Sequence, residues 1–120
     1  MELVRRAAET PMERLVSWAD INLPPGVTLR KMGIGEQSIL MESRMPKGFK
    51  TPPHTHNHES ILYLLEGQIR CTIESETFDL AQGDAALHPE GSLHWLEALT
   101  DARWVEFKTT SRDVWITEQT

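Results

Sequence analysis

Turn signals interrupt this chain so often that few architectures remain open to it. Pro24-Pro25-Gly26, Pro46-Lys47-Gly48, Pro52-Pro53, Glu66-Gly67, Gln82-Gly83 and Pro89-Glu90-Gly91 each mark a place where the backbone must bend. The segments between them are short and either apolar or alternating. Many short strands separated by turns predict an all-β sandwich or barrel. The strands expected are Val27–Met32, Ser38–Met45, Ser60–Leu65, Gln68–Glu74, Thr77–Leu80, Asp84–His88, His94–Leu99 and Ala102–Lys108. Ser60–Leu65 is a continuous apolar run and reads as buried on both faces, with Tyr63 packed in the core. Gln68–Glu74 alternates, which sets Ile69, Cys71 and Ile73 on one face and makes Cys71 a small core residue. One helix is predicted. Thr10-Pro11-Met12-Glu13 matches a capping box with proline at the first helical position, and Met12, Leu15, Val16 and Ala19 follow at helical spacing. A helix over about 11–18 is expected there, with a strand on the barrel edge as the rival.

Composition narrows the class further. A chain of 120 residues supports one domain, expected as an arm over 1–26, a barrel over 27–110 and an extension over 111–120. In that extension Val114, Trp115 and Ile116 need cover. No apolar run approaches the roughly 20 residues that span a bilayer, and Met1–Arg6 has no stretch suited to a secretory signal. With the single cysteine, Cys71, this predicts a cytoplasmic protein in a reducing compartment, without disulfides. The net charge of -6 argues against general nucleic-acid or membrane binding. Residues 1–60 carry 8 Lys/Arg against 7 Asp/Glu and residues 61–120 carry 4 against 11, with no like-charge block.

Three of the five histidines fall in one short segment, as His54, His56 and His58; the others are His88 and His94. On an extended segment His54 and His56 point to the same face, a natural pair of metal ligands. A histidine-rich polar loop is the plain alternative. Gly48 precedes the pair and Gly67 closes the apolar strand after it; Gly83, Pro89, Gly91 and His94 follow in order. These two sets resemble the two motifs of the cupin family. The resemblance covers about 48–98 and implies a double-stranded β-helix, the jelly-roll cupin barrel, commonly a homodimer through its outer strands. It also implies that His54, His56 and His94 converge on a divalent transition metal, whether iron, zinc, nickel, manganese or copper. Gly67 and Gly83 are expected to relieve strain at turns.

The chain departs from the family pattern at two positions. Ser60 stands where the first motif places a ligand glutamate, and Ala98 where the second places an asparagine. Water or substrate could complete a three-histidine site. A β-bulge could instead turn Glu59 inward, or His58, of the same parity as the pair, could ligate; metal binding could also have been lost. Three neutral imidazoles leave a dication uncompensated, which favours an anionic or enolisable oxygen substrate. Iron would suit oxygen chemistry, and zinc or nickel would suit isomerase, cyclase or lyase steps. His58 and Glu59 are the candidate acid/base residues, against a plain reading as solvated rim; His88 reads as a hydrogen-bonded structural residue. The function expected is that of a metal-binding enzyme acting on a small organic substrate. A non-enzymatic ligand- or metal-sensing module is the alternative.

Overall fold

A computed structural model describes residues 2–18, 21–110 and 115–119; the side chains of Trp18 and of 115–119 lie outside the described part. Apart from a 3-10 turn at Ala7–Glu9, the described residues are strands and connections. The strands are β1 (Glu13–Trp18), β2 (Ile21–Asn22), β3 (Thr28–Ile34), β4 (Ile39–Met45), β5 (Ser60–Glu66) and β6 (Ile69–Ile73). They continue with β7 (Glu76–Leu80), β8 (Ala85–His88), β9 (His94–Ala98), β10 (Ala102–Lys108) and β11 (Trp115–Gln119). No described helix is long and apolar enough to cross a membrane.

The larger sheet runs β11-β1-β3-β4-β10-β5-β8, with β2 paired to β1, and the smaller runs β7-β6-β9. The described strand pairings are antiparallel, as turn-linked strands allow. The all-β jelly-roll expectation therefore holds. Residues 48–56 lie along β9 and extend the smaller sheet. Gly48 N–H bonds to Ala98 O at 2.8 Å, Thr51 N–H to Leu96 O at 2.9 Å, and His54 and His94 exchange backbone bonds at 3.1 and 3.0 Å. Pro52 and Pro53 have no N–H to give, so this stretch is bonded to β9 only at intervals.

Two expectations are corrected. The helix predicted over 11–18 is a strand, because Thr10 does not cap a helix start. Its hydroxyl donates to the Arg6 carbonyl at 2.8 Å and closes the preceding 3-10 turn. The segment beyond gains its backbone partners from β2, β3 and β11, and Leu15 enters the core. Second, β5 is buried on one face only. Leu62 and Leu64 point into the core, whereas Ile61 and Tyr63 are 43% and 46% exposed, so Tyr63 does not pack inside. The outer surface of this sheet faces solvent, and an apolar run does not reveal which face is covered. Val114 lies outside the described residues, as do the side chains of Trp115 and Ile116.

Gly67 and Gly83 take positive φ of 86° and 91° at the turns after β5 and before β8. At Gly67 an added Cβ would lie 2.2 Å from the Asp101 carbonyl oxygen, so only glycine fits.

The space between the sheets is graded along its length. At one end Leu64, Trp104, Met45, Ile69 and Ala98 form an apolar core. Toward the other end the inward positions of the same strands turn polar at one level: Ser60 on β5, His88 on β8, His94 on β9 and Lys108 on β10, all buried. Pairing sets Ser60 directly opposite both His88 and Lys108.

Candidate metal centre

His54 and His56 arrive at this polar level on the segment beside β9, and His94 on the first residue of β9 itself. Their ring centroids are 4.7 Å apart for His54–His56, 4.3 Å for His54–His94 and 5.2 Å for His56–His94. One ligand atom from each lies within 4.8 Å of the others, and all three side chains are buried. The Pro89-Glu90-Gly91 turn helps set this geometry: Gly91 N–H bonds to His56 O at 2.8 Å, tying the turn to the His54–His56 segment just before His94.

The second nitrogen of two rings is already committed. His54 Nδ1 lies 2.7 Å from Pro52 O and His94 Nδ1 lies 3.1 Å from Ser92 O. A carbonyl oxygen only accepts, so both Nδ1 atoms carry the proton and both Nε2 atoms present a lone pair. This is the backbone-carbonyl arrangement that orients metal-ligating histidines.

Burial keeps these rings neutral. It lowers His54 to about 4 against the Pro52 bond, which acts the other way. It lowers His56 to about 2, with the Lys108 charge adding to the effect. His94 is lowered by burial as well. Neutral imidazoles arranged in this way fit a divalent transition metal; the set alone does not choose among the metals.

The fourth side of the site is unlike the family pattern. Ser60 Oγ lies 3.3 Å from His88 Nδ1, and His88 Nε2 lies 3.3 Å from Cys71 Sγ. His88 is thus held between a hydroxyl and a thiol, one donating and the other accepting, with its ring stacked on His94 at 4.2 Å and 3°. Burial lowers His88 to about 4 and raises Cys71 to about 12, so the thiol is an inert core group. His58 is buried with its ring stacked on His56 at 4.7 Å and 24°, and Glu59 is exposed. Neither belongs to the three-histidine set. Both line a cavity of about 620 Å³ with Asn57, Pro89, Glu90, Thr109 and Thr110; His54, His56 and His94 are not among the residues that line it.

Two residues with no mark in the motif reading complete the interior. Glu106 and Lys108 project inward from β10, and Lys108 Nζ lies 2.8 Å from Glu106 Oε2. Trp104 Nε1–H donates to Glu106 Oε1 at 3.0 Å. Burial alone would raise the Glu106 pKa, but the Lys108 charge and the hydrogen bonds from Lys108 and Trp104 bring it down to about 2. The only sequence signal for this pair was the alternation of Trp104, Glu106 and Lys108 with Val105 and Phe107. Read as an ordinary half-buried strand, that alternation points the wrong residues inward.

The comparisons agree with this architecture. The family model described as "Cupin domain" matches residues 41–108. An uncharacterized protein from Methanocaldococcus jannaschii is 36% identical over 64 residues, 52% of this chain and 51% of that protein, so the chain spans about half the length of the curated relative it matches. An RmlC-like cupin from Shewanella frigidimarina superposes with a TM-score of 0.81 at 18% identity over 94% of this chain and 95% of that one. KdgF from a Halomonas species does so with a TM-score of 0.81 at 21% identity over 94% and 97%. At such identities the structural likeness speaks for the fold. With the family model spanning more than half of the residues, the chain belongs to the cupin family.

Proposed function

We propose that this cupin binds one divalent transition metal through His54, His56 and His94 and acts as an enzyme on a small organic substrate at the barrel mouth. The observation that carries the reading is the meeting of three buried, neutral imidazoles, two with Nδ1 fixed by backbone carbonyls. When bound, the metal would polarise a substrate oxygen or lower the proton affinity of a coordinated water. The chain's own residues do the rest. Ser60, small and turned toward His88, leaves the fourth side to substrate or water. In this reading His58 and Glu59, which line the adjoining cavity, take up and return a proton.

Elemental analysis of the purified chain is expected to find close to one transition-metal ion per molecule. His54→Ala and His94→Ala should each lower metal affinity by more than the roughly 10–100-fold that loss of an outer-shell partner costs. Full retention of metal by both variants would refute the centre. Turnover against diketones, catechols and thiols, followed by oxygen uptake and product formation, distinguishes oxygenase from isomerase or cyclase chemistry. Stoichiometric metal with no turnover would favour the ligand- or metal-sensing alternative.

A further inference from the structure

Lys108 is fully buried, 0% exposed, in the same interior as the three histidines. It stands directly across from Ser60, the position at which the family motif has an anionic ligand. The pairing register sets it beside Ser60, whose hydroxyl meets the His88 ring that stacks on His94. A second cation beside a metal site raises the local positive charge instead of offsetting it. Glu106 balances Lys108, but that carboxylate sits one step deeper on β10, bonded to Trp104 and toward the apolar end. Among the described residues, a dication with this ion pair would leave the interior beside the histidines with two positive charges in excess.

Packing does not account for the arrangement. An apolar pair of similar volume generally serves a core as well as a buried ion pair or better. Lys108 is followed directly by Thr109, which lines the cavity shared with His58 and Glu59. An ammonium has three N–H donors and can hold Glu106 and an incoming oxyanion together.

We propose that Lys108 is a substrate-recognition residue that selects small molecules bearing a carboxylate, with Glu106 positioning its ammonium and Ser60 leaving room for the anion. The inference rests on the three-histidine reading for its setting. It names the class of substrate that the centre takes: a small carboxylate with an oxygen close enough to reach the histidine cluster.

The test is calorimetric titration of the full chain, incubated with zinc, with malonate and with its neutral counterpart malonamide. Wild type should bind malonate at least tenfold more tightly than malonamide. Lys108→Met should weaken malonate at least tenfold and leave malonamide unchanged. Because Lys108→Met leaves Glu106 buried without its cation, the doubly substituted Lys108→Met/Glu106→Gln chain is titrated beside it and should show the same loss. Glu106→Gln alone, which removes a competing carboxylate, should tighten malonate. A purely structural pair would make both single changes act in one direction. Unchanged malonate affinity in the double variant, weaker binding in Glu106→Gln, or no preference for malonate in wild type would each overturn the assignment. Metal content is read separately by elemental analysis. The same comparison is made at whatever loading the wild type reaches, so failure of the metal centre and failure of the carboxylate assignment give different results.

Discussion

Ser60 decides more about this site than its size suggests. Its hydroxyl is turned to His88 Nδ1, and its strand neighbours across the sheet are His88 and Lys108. A carboxylate in its place would face both the histidine cluster and the ammonium. Ser60→Glu is therefore expected to tighten zinc binding, measured by competition with a chelator, and to weaken any carboxylate ligand. A fall in zinc affinity would show that another side chain already fills that direction. The histidines themselves were legible in the sequence because their chemistry demands close spacing: a pair two residues apart, and a third just after a Pro-x-Gly turn. Glu106 and Lys108 were not legible. Along β10 Glu106 and Lys108 point in, while Val105 and Phe107 share the outer face with Arg103, Phe107 42% exposed, against the usual rule for a half-buried strand. Such an inversion is where a local pattern fails at a functional site.

At the scale of elements, the tight turns hold the strands in register. Gly67 ends β5, and its φ of 86° brings the missing Cβ position to 2.2 Å from the Asp101 carbonyl oxygen. Gly67→Ala should destabilise the chain by roughly 1–3 kcal/mol from the backbone conformation alone, and by more once the contact is included, as read from the midpoint of urea unfolding. An unchanged midpoint would mean that the turn rearranges freely. Turns of this kind, and the strands they separate, were readable because glycine and proline act locally. The strand β1 was readable only as the rival to a helix. Thr10 and Pro11 carry a genuine helix-start signal, but the threonine hydroxyl is used by the preceding turn, and the pairing with β2, β3 and β11 is a long-range effect. The exposure of Ile61 and Tyr63 was hidden for a similar reason, since an apolar run says nothing about which face its neighbours cover.

For the molecule as a whole, the buried histidines and the paired carboxylates set the response to acid: His54, His56 and His88 stay neutral in the folded chain well below the ordinary 6.5, so each withdraws stability as the pH falls below 6.5, and the carboxylates add to this lower down. Glu106 is held near 2 in the folded chain against an ordinary value of 4.5, so its ion pair stabilises fully above about 4.5 and is lost as the pH falls toward 2. Between those values stability should decline by roughly 1.4 kcal/mol per pH unit from this group. Glu42 adds in the same direction: burial works against its ionisation, but Arg30 and Arg103 outweigh it and hold its pKa below the ordinary value. Thermal unfolding of the metal-free chain should thus show a midpoint that begins to fall below about pH 6.5 as the buried histidines resist protonation, and whose further fall below pH 4.5 is smaller in Lys108→Met/Glu106→Gln. Equal slopes in both proteins would place the acid-sensitive groups elsewhere.

The claim on which the functional reading depends is that His54, His56 and His94 share one metal ion. The most direct measurement is an anomalous difference map from a crystal of the purified chain, collected at the absorption edge of the metal found by elemental analysis. The account predicts a single peak at bonding distance, roughly 2.0–2.2 Å, from the Nε2 atoms of all three rings. A map without density among these histidines, from protein whose metal content is nonetheless stoichiometric, would contradict it.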